Sequence, residues 1–350
     1  MIDSLLADIR TGDWLDRQEF PVISWAVPGI LPEGFGILTG PPKAGKSWCV
    51  YGIALAVASG LPAFGVVDTG EARPVLVLAL EDGDRRMQSR ARHLLGPDVP
   101  IPANLHYLTK AQPADVPLVI EAWLGLHGGL NPLVALDTLG RVMPMAGPGE
   151  SAYQRDYRIG SALKRIADDH PGTCLLVVHH TRKAGSVDWM DSTSGTNGLN
   201  GAADFTVNLE RPRNETTGVL RVSGRDVPES EFAVRSESGR WTLDGDSLSE
   251  AATAATRRAT VDGVSERSTA IVAYLTRQAA PTSAKKVEIA LGIHDARRYL
   301  ARLAESGRVR RVERGLYESV PTVPASQAEL FESNRWDKGT LGTAPAEHWE

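Results

Sequence analysis

Cysteine is almost missing from this chain: its 350 residues hold two, Cys49 and Cys174. Two thiols in apolar surroundings cannot staple a scaffold, so a disulfide-built secreted domain is excluded and reduced core thiols are expected. No run reaches the roughly 18 apolar residues that a membrane span needs. The N-terminal stretch MIDSLLADIRTGDW has no basic run followed by an apolar core, so it does not read as a secretory signal. A cytoplasmic location without a membrane partner is the expectation. Neither sign of charge dominates: 38 Lys and Arg stand against 43 Asp and Glu, a net of −5. A globally basic nucleic-acid-binding surface is thereby excluded, and any such partner must be sought in a local patch. Internal repeats are absent too.

What is present is ordinary globular composition, 42% hydrophobic and 23% charged, enough for one large core and a small second one. After a lead-in over 1–33, strand-like segments at 35–39, 75–80, 133–137, 174–179 and 204–209 alternate with helix-like ones. Those helices are expected at 46–59, 84–95, 116–126 and 151–169. Such alternation predicts an α/β fold with a mostly parallel central sheet covered on both faces. The runs PVLVLAL and CLLVVHH are continuously apolar, as strands buried on both faces should be. Shorter strand signals at 219–223, 232–235 and 240–243 extend the sheet edge, which closes this first domain, 34–245. Residues 246–263, rich in Ala, Thr and Ser, read as a linker. A small module over 264–319 follows, then a tail over 320–350 expected to be disordered.

The first domain opens on GILTGPPKAGKSW. Gly40, Gly45, Lys46 and Ser47 satisfy G-x-x-x-x-G-K-[ST] without mismatch. Glycines let the backbone curl so that successive N–H groups face phosphate oxygens, and the helix that follows adds its positive end. The nucleotide-binding stretch is therefore Gly40, Pro41, Pro42, Lys43, Ala44, Gly45, Lys46, Ser47 and Trp48. Lys46 is expected on the β- and γ-phosphates and Ser47 on Mg²⁺, which makes ATP the expected ligand.

Carboxylates end two of the apolar strands. Asp137, closing LVALD, is placed to hold a Mg²⁺ shell through water, or is a surface acid at a strand end. Glu81 and Asp82, closing VLVLALED, can orient an attacking water, or simply open the next helix, where negative charge is favoured. His179 and His180 end a third strand, with Lys183 in the loop beyond. They can sense a γ-phosphate; a metal site is the rival reading, but adjacent strand residues point to opposite faces.

The module over 264–319 reads as a winged helix. ERSTAIVAYLTRQ is a first helix, TSAKKVEIALGI a second ending at Gly292, and HDARRYLARLAESG a third. The third places Ala296, Tyr299, Leu300 and Leu303 on one face, and Arg298 and Arg302 with Arg297 on another. GRVRRVERGLYESV alternates as a two-stranded wing turning at Arg314-Gly315. Over 254–320 there are 13 Lys and Arg against 7 Asp and Glu, a net of +6, in a chain of net −5. That local polarity suits docking on DNA phosphates through Arg297, Arg298 and Arg302, although a protein-docking winged helix has the same look.

The ordered segments PGILPEGFGILTGPPKAGKS, VLVLALED, VALDTLGR, LLVVHHTRK and TSGTNGLNGAADFTVNL resemble the RepA-type hexameric replicative helicases of plasmids and phages. These are RecA-like P-loop ATPases of the AAA domain family, and the likeness spans about residues 22–228. The resemblance implies ATP with Mg²⁺ bound between neighbouring subunits of a six-membered ring. It makes Lys46 and Ser47 the phosphate and Mg²⁺ contacts and Glu81 the catalytic glutamate. It assigns Asp137 to the Mg²⁺ side and His180 to the γ-phosphate sensor, with His179 the fallback. It also implies an arginine acting on the next subunit's nucleotide. Arg225 in RVSGRDVPE stands at the matching place, with Ser223 where that family has a lysine, and Arg211 is the second choice. The loop 181–200 would face a central channel and touch single-stranded DNA through Arg182 and Lys183. Single-stranded or forked DNA, a homo-oligomeric ring, and a primase or replication initiator are the implied partners. A filament-forming RecA-like recombination ATPase, a nucleotide-switched DNA-binding regulator and a substrate kinase share parts of this pattern; the ordered motifs favour the helicase.

Overall fold

The structure is a computed structural model that describes Leu6 and residues 9–179, 198–262 and 266–320. It divides into a unit over residues 1–259 and a second over 260–350. After a short helix α1 (Gly12–Asp16) and a small ribbon of β1 (Trp25–Val27) and β2 (Leu31–Pro32), the first unit is built on one large sheet. Its strands are β3 (Gly34–Thr39), β4 (Val75–Ala79), β5 (Leu105–Leu108), β6 (Leu133–Asp137), β7 (Cys174–Val178), β8 (Phe205–Glu210), β9 (Thr217–Gly224), β10 (Ser230–Glu237) and β11 (Arg240–Leu243). Their spatial order among the described residues is β11-β10-β9-β8-β3-β7-β6-β4-β5. The six from β8 to β5 run parallel, and β9 to β11 return as an antiparallel meander.

Alternate residues of the central strands feed two separate cores. Val75, Val77, Leu133, Ala135, Cys174 and Leu176 face α2 (Lys46–Ser59) and α3 (Asp84–Leu95). Leu76, Leu78, Val134, Leu136, Leu175 and Val177 face α4 (Val116–His127), α5 (Ala152–Asp168) and α6 (Gly198–Ala202). This is the doubly covered sheet that the continuous apolar runs predict. Helix α2 stops at Gly60, whose left-handed backbone returns its N–H to the last turn. Helix α5 starts on a reciprocal cap between Ser151 and Gln154. Both cysteines are free and buried, and burial pushes each thiol up to about 12.

Three segments depart from the sequence reading. Strand β5 carries no strong apolar run; it is a half-exposed edge strand paired only with β4 among the described residues. The segment read as a linker is helix α7 (Leu248–Asp262). Its small side chains hide its amphipathicity, but Ala251 and Ala255 are buried, and Arg258 bonds the Gly218 and Val234 carbonyls and pairs with Asp244. The end of the expected loop 181–200 is the first turn of α6, with Leu199 buried against α5.

The second unit contains α8 (Glu266–Thr276), β12 (Thr282–Ser283), α9 (Ala284–Leu291), α10 (Ala296–Glu305), β13 (Val309–Glu313) and β14 (Leu316–Ser319). Three helices and a sheet ordered β12-β14-β13 form a winged-helix-like domain around Ile271, Val287, Leu300 and Tyr317. Helix α9 ends at Gly292 in the left-handed conformation, and the wing turns at Gly315. The tail beyond Val320 lies outside the described residues.

Candidate functional site

Beyond the carboxyl ends of β3, β4 and β6 three loops converge, the edge where open α/β sheets bind ligands, and β7 ends beside them at His179. The loop after β3 curls through Gly40 (φ 148°), Lys43 (φ 67°) and Gly45 (φ 103°) into α2. A Cβ at Gly40 would stand 2.2 Å from the Leu209 carbonyl oxygen, so only glycine fits there. Lys46 is 4% exposed and its Nζ donates to the carbonyls of Gly40 (2.7 Å) and Pro41 (3.0 Å). Burial lowers its amine to about 8, with the Asp137 carboxylate pulling the other way.

Asp137 ends β6 on the face occupied by α2, because it continues the alternation of Leu133 and Ala135. Its carboxylate meets the Ser47 hydroxyl, while its Oδ1 is buried without a hydrogen-bond partner. Burial raises its pKa most; Asp82 and Glu81 add to that, and the Ser47 bond and Arg90 oppose it. A buried acid oxygen left open beside a serine hydroxyl is a donor set that fits a hard divalent cation. Ser47 and Asp137, the latter through water, would hold Mg²⁺ there.

Glu81 and Asp82 separate clearly. Asp82 is enclosed by Arg86 (2.8 Å) and Arg90, which hold both its oxygens. Glu81 stays half exposed above the β4–β6 edge, its Oε1 accepting from Arg141 Nε at 3.3 Å. Sequence reading missed Arg141, although it sits in the quoted segment VALDTLGR; only the adjacency of β4 and β6 brings it to Glu81.

Trp48 turns its indole away from the loop, edge-on to His93 and under the Arg90 guanidinium, 5.3 Å from the ring centre. His179 follows β7, and its N–H bonds the Leu38 carbonyl at 2.9 Å. His180, Arg182 and Lys183 lie outside the described residues.

The two arginines differ in kind. Arg225 follows β9 and is 60% exposed, 3.7 Å from Asp204, at the sheet end opposite the glycine loop. Arg211 instead bonds that loop in its own chain: Nε to Ala44 O at 3.0 Å and Nη2 to Lys43 O at 3.2 Å. With Nη1 on the Glu215 carbonyl at 2.6 Å, all three of its nitrogens are engaged. Arg297, Arg298 and Arg302 are exposed on α10, while Ala296, Leu300 and Leu303 of the same helix are buried.

A parallel sheet with a glycine loop, a helix-starting Lys-Ser pair and an acid on a nearby strand end defines a P-loop ATPase fold of RecA-like type. The chain belongs to the AAA domain family, whose match spans residues 5–186. Residues 275–320 match a second family, described as transcriptional regulator, AbiEi antitoxin. No curated protein matches the chain. Among solved structures, the ATPase domain of G40P is similar at 13% identity over 60% of this chain and 84% of that one, with a TM-score of 0.48. A DnaB-like replicative helicase, described with its interactions with primase, is similar at 14% identity and a TM-score of 0.49. That match covers 60% of this chain and 57% of that one.

Proposed function

We propose that this protein is an ATP-hydrolysing DNA motor, a ring-forming replicative helicase that moves on single-stranded or forked DNA. One observation carries the catalytic half of this reading: the open, buried Asp137 oxygen beside Ser47, on the sheet edge that also presents Lys46 and Glu81. Bound Mg²⁺ would draw charge from the β- and γ-phosphates of the substrate. Lys46, already dehydrated, exchanges its loop carbonyls for phosphate oxygens. Glu81 is the carboxylate free to orient water, since both oxygens of Asp82 are held by arginines. His180, with His179 as the fallback, follows in sequence the strand that lies between β3 and β6 and is the proposed γ-phosphate sensor.

The DNA half rests on the ordered motifs and on the exposed arginines of α10. Arg225, remote from the loop of its own chain, suits action on a neighbouring subunit's nucleotide in a hexamer. Arg182 and Lys183 are the proposed contacts to single-stranded DNA, and a primase or replication initiator is the proposed partner. Unwinding of a forked duplex, with ATP turnover followed in parallel, tests the motor. Strand separation that needs ATP and is lost in Lys46→Ala supports it. Turnover stimulated by DNA without strand separation would favour the recombination ATPase.

A second reading has its own observation. The match of residues 275–320 to a transcriptional-regulator family favours a nucleotide-switched DNA-binding regulator. It requires slow turnover and tight binding to one DNA sequence, both measurable on the same preparation.

A further inference from the structure

Three successive carbonyls of the glycine loop are held from outside by two side chains that the motifs do not include. Arg211, just past β8, donates to Lys43 O and Ala44 O. Trp241, on β11 and 7% exposed, donates its indole N–H to Gly45 O at 3.2 Å. The two side chains also meet each other, with the guanidinium 5.9 Å from the indole ring centre. A Cβ on Gly45 would stand 3.0 Å from the Trp241 ring, so the loop and the indole are already in close contact.

The geometry has a consequence at each peptide bond. A trans peptide is planar, and its C=O and the following N–H point in opposite directions. Holding the carbonyls of Ala44 and Gly45 outward turns the N–H groups of Gly45 and Lys46 the other way. Those are the donors a phosphate-cradling loop presents. The carbonyl of Lys43 is held likewise; the Ala44 N–H that follows closes a turn on Pro41 O at 3.2 Å. Lys43 is in the left-handed region at φ 67°, a form that a lysine adopts only when its surroundings impose it.

We propose that Arg211 and Trp241 form a positioning pair that keeps the loop in its phosphate-binding form. They would set nucleotide affinity from two strands lying beyond the part of the chain matched by the AAA domain family. The pair acts through the loop and takes no part in the chemical step. The proposal rests on the glycine loop binding a nucleotide, and the experiment separates the two claims.

Binding of N-methylanthraniloyl-ADP with Mg²⁺ is measured by titration on the full-length chain, wild type and variants, beside steady-state ATP turnover. Arg211→Ala is expected to raise Kd about tenfold or more, and Trp241→Phe, which keeps an aromatic ring of smaller size and deletes the donor, about threefold to tenfold. Arg211→Lys restores part of the loss, because an ammonium can satisfy one of the two carbonyls. KM for ATP rises with Kd, while kcat at saturating ATP stays within about twofold, as expected for uniform binding. Unchanged Kd in Trp241→Phe and in Arg211→Ala or Arg211→Lys overturns the proposal. So does a fall in kcat at unchanged Kd, which would make Arg211 a group acting on the transition state. Should Arg211→Ala not fold, Trp241→Phe and Arg211→Lys decide. If wild type binds and Lys46→Ala does not, the glycine-loop reading stands whatever these variants do. If wild type itself does not bind, that reading falls and takes the positioning role with it.

Discussion

Lys46 and Glu81 sit on one sheet edge but are expected to fail in different ways. Lys46 is a buried cation already desolvated by its surroundings, so phosphate binding costs it little further dehydration. Lys46→Ala removes the charge proposed to meet the β- and γ-phosphates and is expected to abolish nucleotide binding. Glu81→Gln keeps size and hydrogen bonding but loses the basic oxygen. Turnover should fall about 10²- to 10⁴-fold, the usual worth of a general base, with nucleotide affinity retained. Equal losses of binding and turnover in Glu81→Gln would remove the glutamate from the chemical step. Single-turnover hydrolysis beside equilibrium binding reads both. Lys46 was legible in the sequence because phosphate chemistry confines its partners to eight consecutive residues. Arg141, 60 residues from Glu81, was not.

Among elements, α7 makes the clearest case for tertiary control. Nothing in DSLSEAATAATRRATVDG marks a core helix, because alanine supplies the buried face and alanine is also common in linkers. Asp244, just beyond β11, ties this helix down by pairing with Arg258, and also accepts from Arg235 at 2.9 Å. Partial burial pushes the Asp244 carboxyl up, but the two arginines outweigh it and hold it below the usual aspartate range. A lowered folded-state pKa means stability that is present above the unfolded-state value and lost as pH falls through the folded one. Asp244→Asn is therefore expected to cost about 1–2 kcal/mol at pH 7, with the difference from wild type closing below about pH 4. Thermal melts of both proteins at pH 7 and pH 3.5 check it. A gap that stays constant across that range would mean that the charge contributes nothing.

For the whole molecule, two predictions concern assembly and DNA. Arg225 lies far from the loop of its own chain, so any catalytic action must come from a second copy. In mixtures, Arg225→Ala subunits carrying a normal glycine loop should regain turnover beside Lys46→Ala subunits carrying a normal Arg225. Mixtures that remain as inactive as either parent would discard Arg225 as the trans residue. The arginines of α10 are exposed, on a different face from the buried Ala296, Leu300 and Leu303. Replacing Arg298 and Arg302 together by alanine should weaken duplex DNA binding and lower the salt slope by up to about 2, nearly one counterion for each lost phosphate contact. Titration at several salt concentrations reads that slope; an unchanged slope means α10 does not meet phosphates.

The sequence by itself determined the order of the core strands and their covering helices, though not β5 or α7, the glycine loop, the acids that close β4 and β6, and the three helices and wing of the second unit. Each depends on neighbours in the chain: apolar period, turn residues and fixed spacing. Only the tertiary structure decided that β7 lies between β3 and β6 and that Asp82, unlike Glu81, is neutralised by arginines. It alone brought Arg211 and Trp241 onto a loop 167 and 196 residues away. The physical reason is that these contacts are set by which strands pair across the sheet. That choice is made by burial over the whole core, and no local stretch of sequence carries it.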